Sequence, residues 1–89
     1  VATREARFAP RPHPPLRETL AWTDEQFLEH FTGTPVERLG LARWRRNALT
    51  VLGNVGTSGD LPAAETLVGS PDPMVAEHAA WAVDRLRAR

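Results

Sequence analysis

The sequence predicts an all-α protein arranged as a short α-solenoid. It divides into a proline-rich extended tail over residues 1–21 and a helical domain over residues 22–89. Three observations support this. No segment alternates apolar and polar residues with a period of two, so strands are not expected. Helix start and stop signals recur along the chain from residue 22 onward. An internal repeat appears when the chain is slid by 31 residues, and a period in that range with paired helices is the mark of a solenoid.

The elements follow in order. "APRPHPP" (Ala9 to Pro15) favours an extended, polyproline-type tether and forbids a helix there. "TDEQFLEHFTG" opens with Thr23 as N-cap and Gln26 as its capping-box partner, and it stops at Gly33. Phe27, Leu28 and Phe31 form its apolar stripe, and Trp22 stands where a hydrophobic staple would. "TPVERLG" has the same pattern, with Thr34 as cap, Pro35 in the first position, Glu37 closing the box and Gly40 at the end. A helix over about Leu41 to Asn54 follows. Asp60 caps a short helix with Pro62 in its first turn, and Asp72 with Pro73 opens a last helix reaching about Arg87.

The repeat sets Ala48 on Ala79, Val51 on Ala82, Leu52 on Val83 and Val55 on Leu86. Small residues recur where helices approach closely, and longer aliphatics recur where the stack is filled. Solenoids need about three units for stability. This chain offers about two, so its first helices cap the stack or the stack leans on another domain.

Composition excludes several functions. The 89-residue chain has no cysteine, which rules out disulfides and thiolate metal sites. No apolar run approaches the ~20 residues of a membrane span, and no secretory signal is present. The formal net charge is zero, so overall charge gives no case for nucleic acid. The basic character is local: between Val36 and Gly56 a single glutamate faces Arg38, Arg43, Arg45 and Arg46. All eleven basic residues are arginine, which fits Arg-biased codon usage better than selection for phosphate forks.

At about 100° per residue, Leu41, Trp44, Ala48, Val51, Leu52 and Val55 share one side of the long helix. Arg45 falls on that apolar side and is expected to snorkel along it. Arg43, Arg46, Asn47, Thr50 and Asn54 share the other side, which carries donors for phosphate oxygens and no carboxylate. The repeat register continues this face into Glu77, His78, Trp81 and Arg85. Trp81 there either stacks on a base or packs against a neighbouring helix. Glu77 disfavours phosphate at its own position. His13 has no companion ligand, His30 stands at a helix end where an imidazole suits the dipole, and His78 and Glu77 are expected to face different directions and so to make no metal pair.

Taken together, these residues resemble the C-terminal end of cobalamin-dependent epoxyqueuosine reductases. The likeness runs through Gly33, Thr34, Pro35, Val36 and Arg38, then Arg46, Asn47, Ala48, Leu52, Gly53 and Asn54. It continues through Asp72, Pro73, Val75, Glu77, His78, Ala79, Ala80, Trp81 and Ala82, the "D-P…V…E-H-A-A-W-A" pattern of phycobilisome-lyase-type HEAT-like repeats. It covers about Phe8 to Arg89. The resemblance implies a HEAT-like fold and a cytoplasmic parent that reduces epoxyqueuosine in the tRNA wobble position to queuosine, using cobalamin and two [4Fe–4S] clusters. The cluster cysteines and the cobalamin-binding region have no counterpart in this chain, so it carries over no catalytic, cofactor or metal residue.

The expected partners are tRNA and the reductase domain that precedes this region in such a parent, with neither DNA nor membrane. The expected RNA-binding residues are Arg38, Arg43, Arg46, Asn47, Asn54, His78, Trp81 and Arg85, holding the anticodon stem-loop. The alternatives are a HEAT-like protein-interaction module and a structural cap on a catalytic domain.

Overall fold

Helical structure begins directly after the last proline of the tail. The computed structural model describes residues 15–89, all of its regular elements helical. The expected extended segment before residue 15 lies outside the described residues. Residues 16–21 depart from the expected tail. Leu16–Thr19 forms a single helical turn, α1, with Pro15 in the N-cap position. Proline is compatible with a helix start, where no backbone N–H is needed. Leu20 is 1% exposed and belongs to the main core. The tail reading failed here because this burial depends on helices more than twenty residues away, not on local pattern.

α2 (Asp24–Phe31) has the capping box its sequence announces: Gln26 N donates to Thr23 Oγ1 at 3.2 Å, and Thr23 N donates to Gln26 Oε1 at 2.9 Å. Trp22 rests on His30 and Phe31, a turn beyond the expected staple contact. Phe27, Phe31 and Trp44 make an aromatic cluster with centroids 4.8 to 6.4 Å apart. Gly33 leaves the helix at φ 84°.

A 3-10 turn follows over Pro35–Leu39. Its expected capping box does not form. The Thr34 hydroxyl instead donates back to Phe31 O at 2.7 Å, and Glu37 Oε1 accepts from Gly33 N at 3.2 Å. Gly40, at φ 83°, then redirects the chain into α3 (Leu41–Val55). Both glycines hold left-handed backbone that a side chain would strain.

The buried side of α3 is Leu41, Ala48, Leu49, Leu52 and Gly53. This corrects the expected face: Val51 is 47% and Val55 is 75% exposed, whereas Leu49 is fully buried. Arg45 is half-buried near the centre of that side, with Nε donating to Leu20 O at 3.1 Å and Nη2 to Trp22 O at 2.6 Å. Its guanidinium ties the end of α1 to α3 rather than snorkelling to water. Trp44 is half-buried, its indole N–H donating to Thr19 Oγ1 at 2.8 Å.

A second 3-10 turn (Ser58–Asp60) leads into α4 (Leu61–Thr66). The carboxylate of Asp60 does not cap α4. It accepts from Thr57 N at 2.8 Å and from Arg17 Nη1 at 3.2 Å. α5 (Pro73–Arg87) starts as expected, with Asp72 Oδ1 accepting from Met74 N and Val75 N.

Leu20 joins Ala48, Leu49 and Leu52 of α3 in one core with Ala64 and Leu67 and with Val75, Ala79, Ala82, Val83 and Leu86 of α5. The small side chains of Ala48, Ala79 and Ala82 let the two long helices lie close together. In the 31-residue register, Ala48 and Ala79 are both buried, as are Leu52 and Val83. Ala82 and Leu86 are buried while their counterparts Val51 and Val55 are open. Gly53 meets α5, and Val51 lies two residues away, about 200° around the helix. Val51 therefore faces the side opposite α5. Among the described residues no helix is long and apolar enough to cross a membrane.

Candidate functional site

A close approach of α3 and α5 at Gly53 shapes the polar groove between them. A Cβ on Gly53 would stand 2.3 Å from Cζ3 and 2.7 Å from Cη2 of Trp81, so the ring lies directly on the α3 backbone. A mid-helix glycine costs roughly 0.5–1 kcal/mol relative to alanine. Here it makes room for the indole. Trp81 is still 38% exposed, which combines the two expected roles: part of the ring packs on a neighbouring helix and part faces solvent. The guanidinium carbon of Arg85 is 5.3 Å from the ring centroid, a cation–π contact, and its Nε donates to Gly53 O at 2.9 Å.

Beside the exposed part of Trp81 is a cavity of about 320 Å³ lined by Thr50, Glu77, His78 and Trp81. His78 Nδ1 is 2.8 Å from Met74 O. A carbonyl only accepts, so Nδ1 carries the proton, and in the neutral ring Nε2 is left as an acceptor. The Thr50 hydroxyl donates to Arg46 O at 3.0 Å, within its own helix. Arg46 flanks the same groove. Its Nε and Nη2 hold Asn47 Oδ1 at 3.1 and 3.0 Å, while Nη1 reaches Met74 Sδ at 3.9 Å.

The structure therefore brings Arg46, Thr50, His78, Trp81 and Arg85 together. Arg43, Asn47 and Asn54 are exposed and, with Thr50, follow one another at helical spacing along α3 as a single stripe. Arg38 stands apart. It is exposed on the 3-10 turn beside Gly33, Thr34, Pro35 and Glu37, separated from the groove by the reversal at Gly40.

One important residue escaped sequence reasoning. Arg89 donates from Nη1 to Leu52 O and Gly56 O at 3.3 and 3.0 Å, and from Nη2 to Gly53 O and Asn54 O at 3.0 and 2.6 Å. With Arg85 it places two guanidiniums on the carbonyl end of α3, where the helix dipole is negative. Nothing in the chain around Arg89 signals this. The glycine at 53 was the available clue to the close helix contact.

Among the described residues no group of three or more histidine, aspartate or glutamate side chains could hold a metal ion, and the chain has no thiolate to ligate an iron–sulfur cluster. These side chains therefore offer no ligand set for an iron–sulfur cluster, and no chemical step is assigned through one.

The chain is similar to curated proteins named epoxyqueuosine reductase. It is 37% identical over 84 residues to the one from Shigella dysenteriae, which covers 91% of this chain and 22% of the relative. It is 36% identical over 84 residues to the one from Escherichia coli, with the same coverage. To the one from Pseudomonas aeruginosa it is 36% identical over 89 residues, covering 93% of this chain and 24% of the relative. The chain thus spans less than a quarter of the length of these relatives. No protein-family profile matches it. No solved structure matches it either.

Proposed function

We propose that this chain is the tRNA-holding, HEAT-like part of an epoxyqueuosine reductase, in which α3 and α5 grip the anticodon stem-loop. Residues outside this chain would reduce the modified base in the cytoplasm. Similarity to proteins of that name supports the reading. The observation that carries it is the exposed stripe Arg43, Asn47, Thr50 and Asn54 with Arg46 beside it, on a helix that bears no acidic residue.

The stripe suits the chemistry of an RNA backbone. Arg43 offers a forked donor to phosphate oxygens, Arg46 would turn its fork from Asn47 Oδ1 to a phosphate, and the amides of Asn47 and Asn54 offer neutral contacts to phosphate and ribose. A phosphate near Asn54 would ordinarily meet the negative end of the α3 dipole. Arg85 and Arg89 offset that charge. Arg38, on its separate turn, would meet the backbone at a second point. In this arrangement no residue of the chain performs catalysis, and its contribution is to fix the position of the RNA.

A second function is favoured by a different observation. Val51 and Val55 are open on the side of α3 opposite α5, where a further unit of a solenoid would stack. That face suits protein contact with the rest of the parent, and it leaves the polar stripe free for RNA.

The test of the RNA reading is the salt dependence of anticodon stem-loop binding. Arg46→Ala should weaken binding and lower the slope of log K against log salt by about 0.9, the value of one phosphate contact. An unchanged slope would remove Arg46 from the interface.

A further inference from the structure

Among the described residues Glu77 is the one carboxylate lining the cavity beside Trp81, in a groove flanked by Arg46 and Arg85. It does not suit phosphate, so the cavity needs a different ligand from the stripe next to it. We infer that this cavity receives a single unstacked base of the bound RNA and that its polar edge selects guanine. The inference rests on the RNA-binding function proposed above.

The cavity offers a stacking surface and a row of acceptors. Its volume of about 320 Å³ is at the small end of ligand pockets, which run from about 300 to 1,000 Å³. The partly exposed Trp81 ring supplies the platform, held in place by Gly53 and Arg85. Glu77 is one helical turn before Trp81 on α5, so its carboxylate reaches the same side. Both carboxylate oxygens accept, and with its Nδ1–H donated to Met74 O the His78 ring turns Nε2 to the cavity. The Thr50 hydroxyl has given its proton to Arg46 O and also presents lone pairs.

An acceptor-rich lining matches a base edge rich in donors. Guanine places N1–H and the N2 amino group side by side, a pair that meets one carboxylate through two parallel hydrogen bonds, as a guanidinium does. Adenine and cytosine each set a ring-nitrogen acceptor next to their amino group, which the carboxylate would repel. Uracil has one N–H between two carbonyl acceptors. Guanine alone offers the adjacent donors.

The experiment uses short uridine oligoribonucleotides with a single central guanosine, adenosine, cytidine or inosine, titrated into the 89-residue chain and followed by NMR. The chain has three tryptophans, and the Trp81 indole signal is the one lost in Trp81→Phe. The guanosine oligomer should bind about tenfold more tightly than the adenosine, cytidine or all-uridine ones, as one bidentate base contact allows, and should move the Trp81 signal. Inosine, lacking the N2 amino group, should lose most of that advantage. Glu77→Gln, a change at an exposed position, should bring guanosine down to the level of the others without lowering the salt slope.

Equal affinity for all central bases would overturn the guanine assignment. A silent Trp81 with shifted Arg43 and Asn47 amides would overturn the base site and leave the RNA interface standing. Silence on both helices would remove both. N-acetyl-arginine amide moving Trp81 as strongly as the guanosine oligomer would reassign the cavity to a peptide.

Discussion

Leu49→Ala is expected to lower the stability of the chain by about 2–5 kcal/mol, the cost of a cavity in a closed core. Leu49 is fully buried among Leu20, Leu52 and the inner side of α5. Val51→Ala, on the open side of the same helix, should stay within about 0.5 kcal/mol. Small domains have only about 5–15 kcal/mol in total, so the first substitution threatens folding at ambient temperature and the second does not. Urea unfolding of the two variants measures the contrast. Equal losses would mean that Val51 is covered, as an apolar face centred on Leu41, Ala48, Val51 and Val55 would require.

Gly53→Ala should destabilise by about 1–3 kcal/mol through overpacking, despite a gain of up to ~1 kcal/mol in helix propensity. The new Cβ would stand 2.3 Å from Trp81, so the indole must leave its seat on α3 and lose its place against Arg85. The change should appear in near-ultraviolet circular dichroism as well as in the unfolding midpoint. In a Trp81→Ala background the same substitution should become neutral or stabilising, because only the propensity gain remains. Stabilisation by Gly53→Ala in the intact chain would show that the two helices are not in contact there.

Much of the fold was legible because it is local. The capping box of Thr23 with Gln26 and the cap at Asp72 depend on residues within one turn, and both form. The groove was legible through the repeat: the register that aligned Thr50 with Trp81 and Asn47 with His78 put Thr50, His78 and Trp81 beside one another. The burial of Leu20 was not legible, because it is created by α3 and α4 closing over it. Neither was the packing direction of α3. A helical projection gives the width of an apolar face, while its centre depends on where neighbouring helices lie. Arg45 hid that centre, since a guanidinium satisfied by Leu20 O and Trp22 O is hard to anticipate from a wheel. Arg38 is placed by its own sequence on the turn before α3, and the positive φ of Gly40 separates that turn from the helix. The role of Arg89 depends on the C-terminal end of α3 ending up beside the C-terminal end of α5.

We propose that the polar stripe and groove of α3 and α5 hold RNA. An amide chemical-shift map of the chain titrated with a tRNA anticodon stem-loop tests it most directly. Perturbations are expected at Arg43, Asn47, Thr50 and Asn54 and at the Trp81 indole, fading as salt rises from about 50 to 200 mM. Perturbations confined to the opposite groove lined by Glu65, Ala80 and Asp84, with the α3 stripe silent, would contradict it.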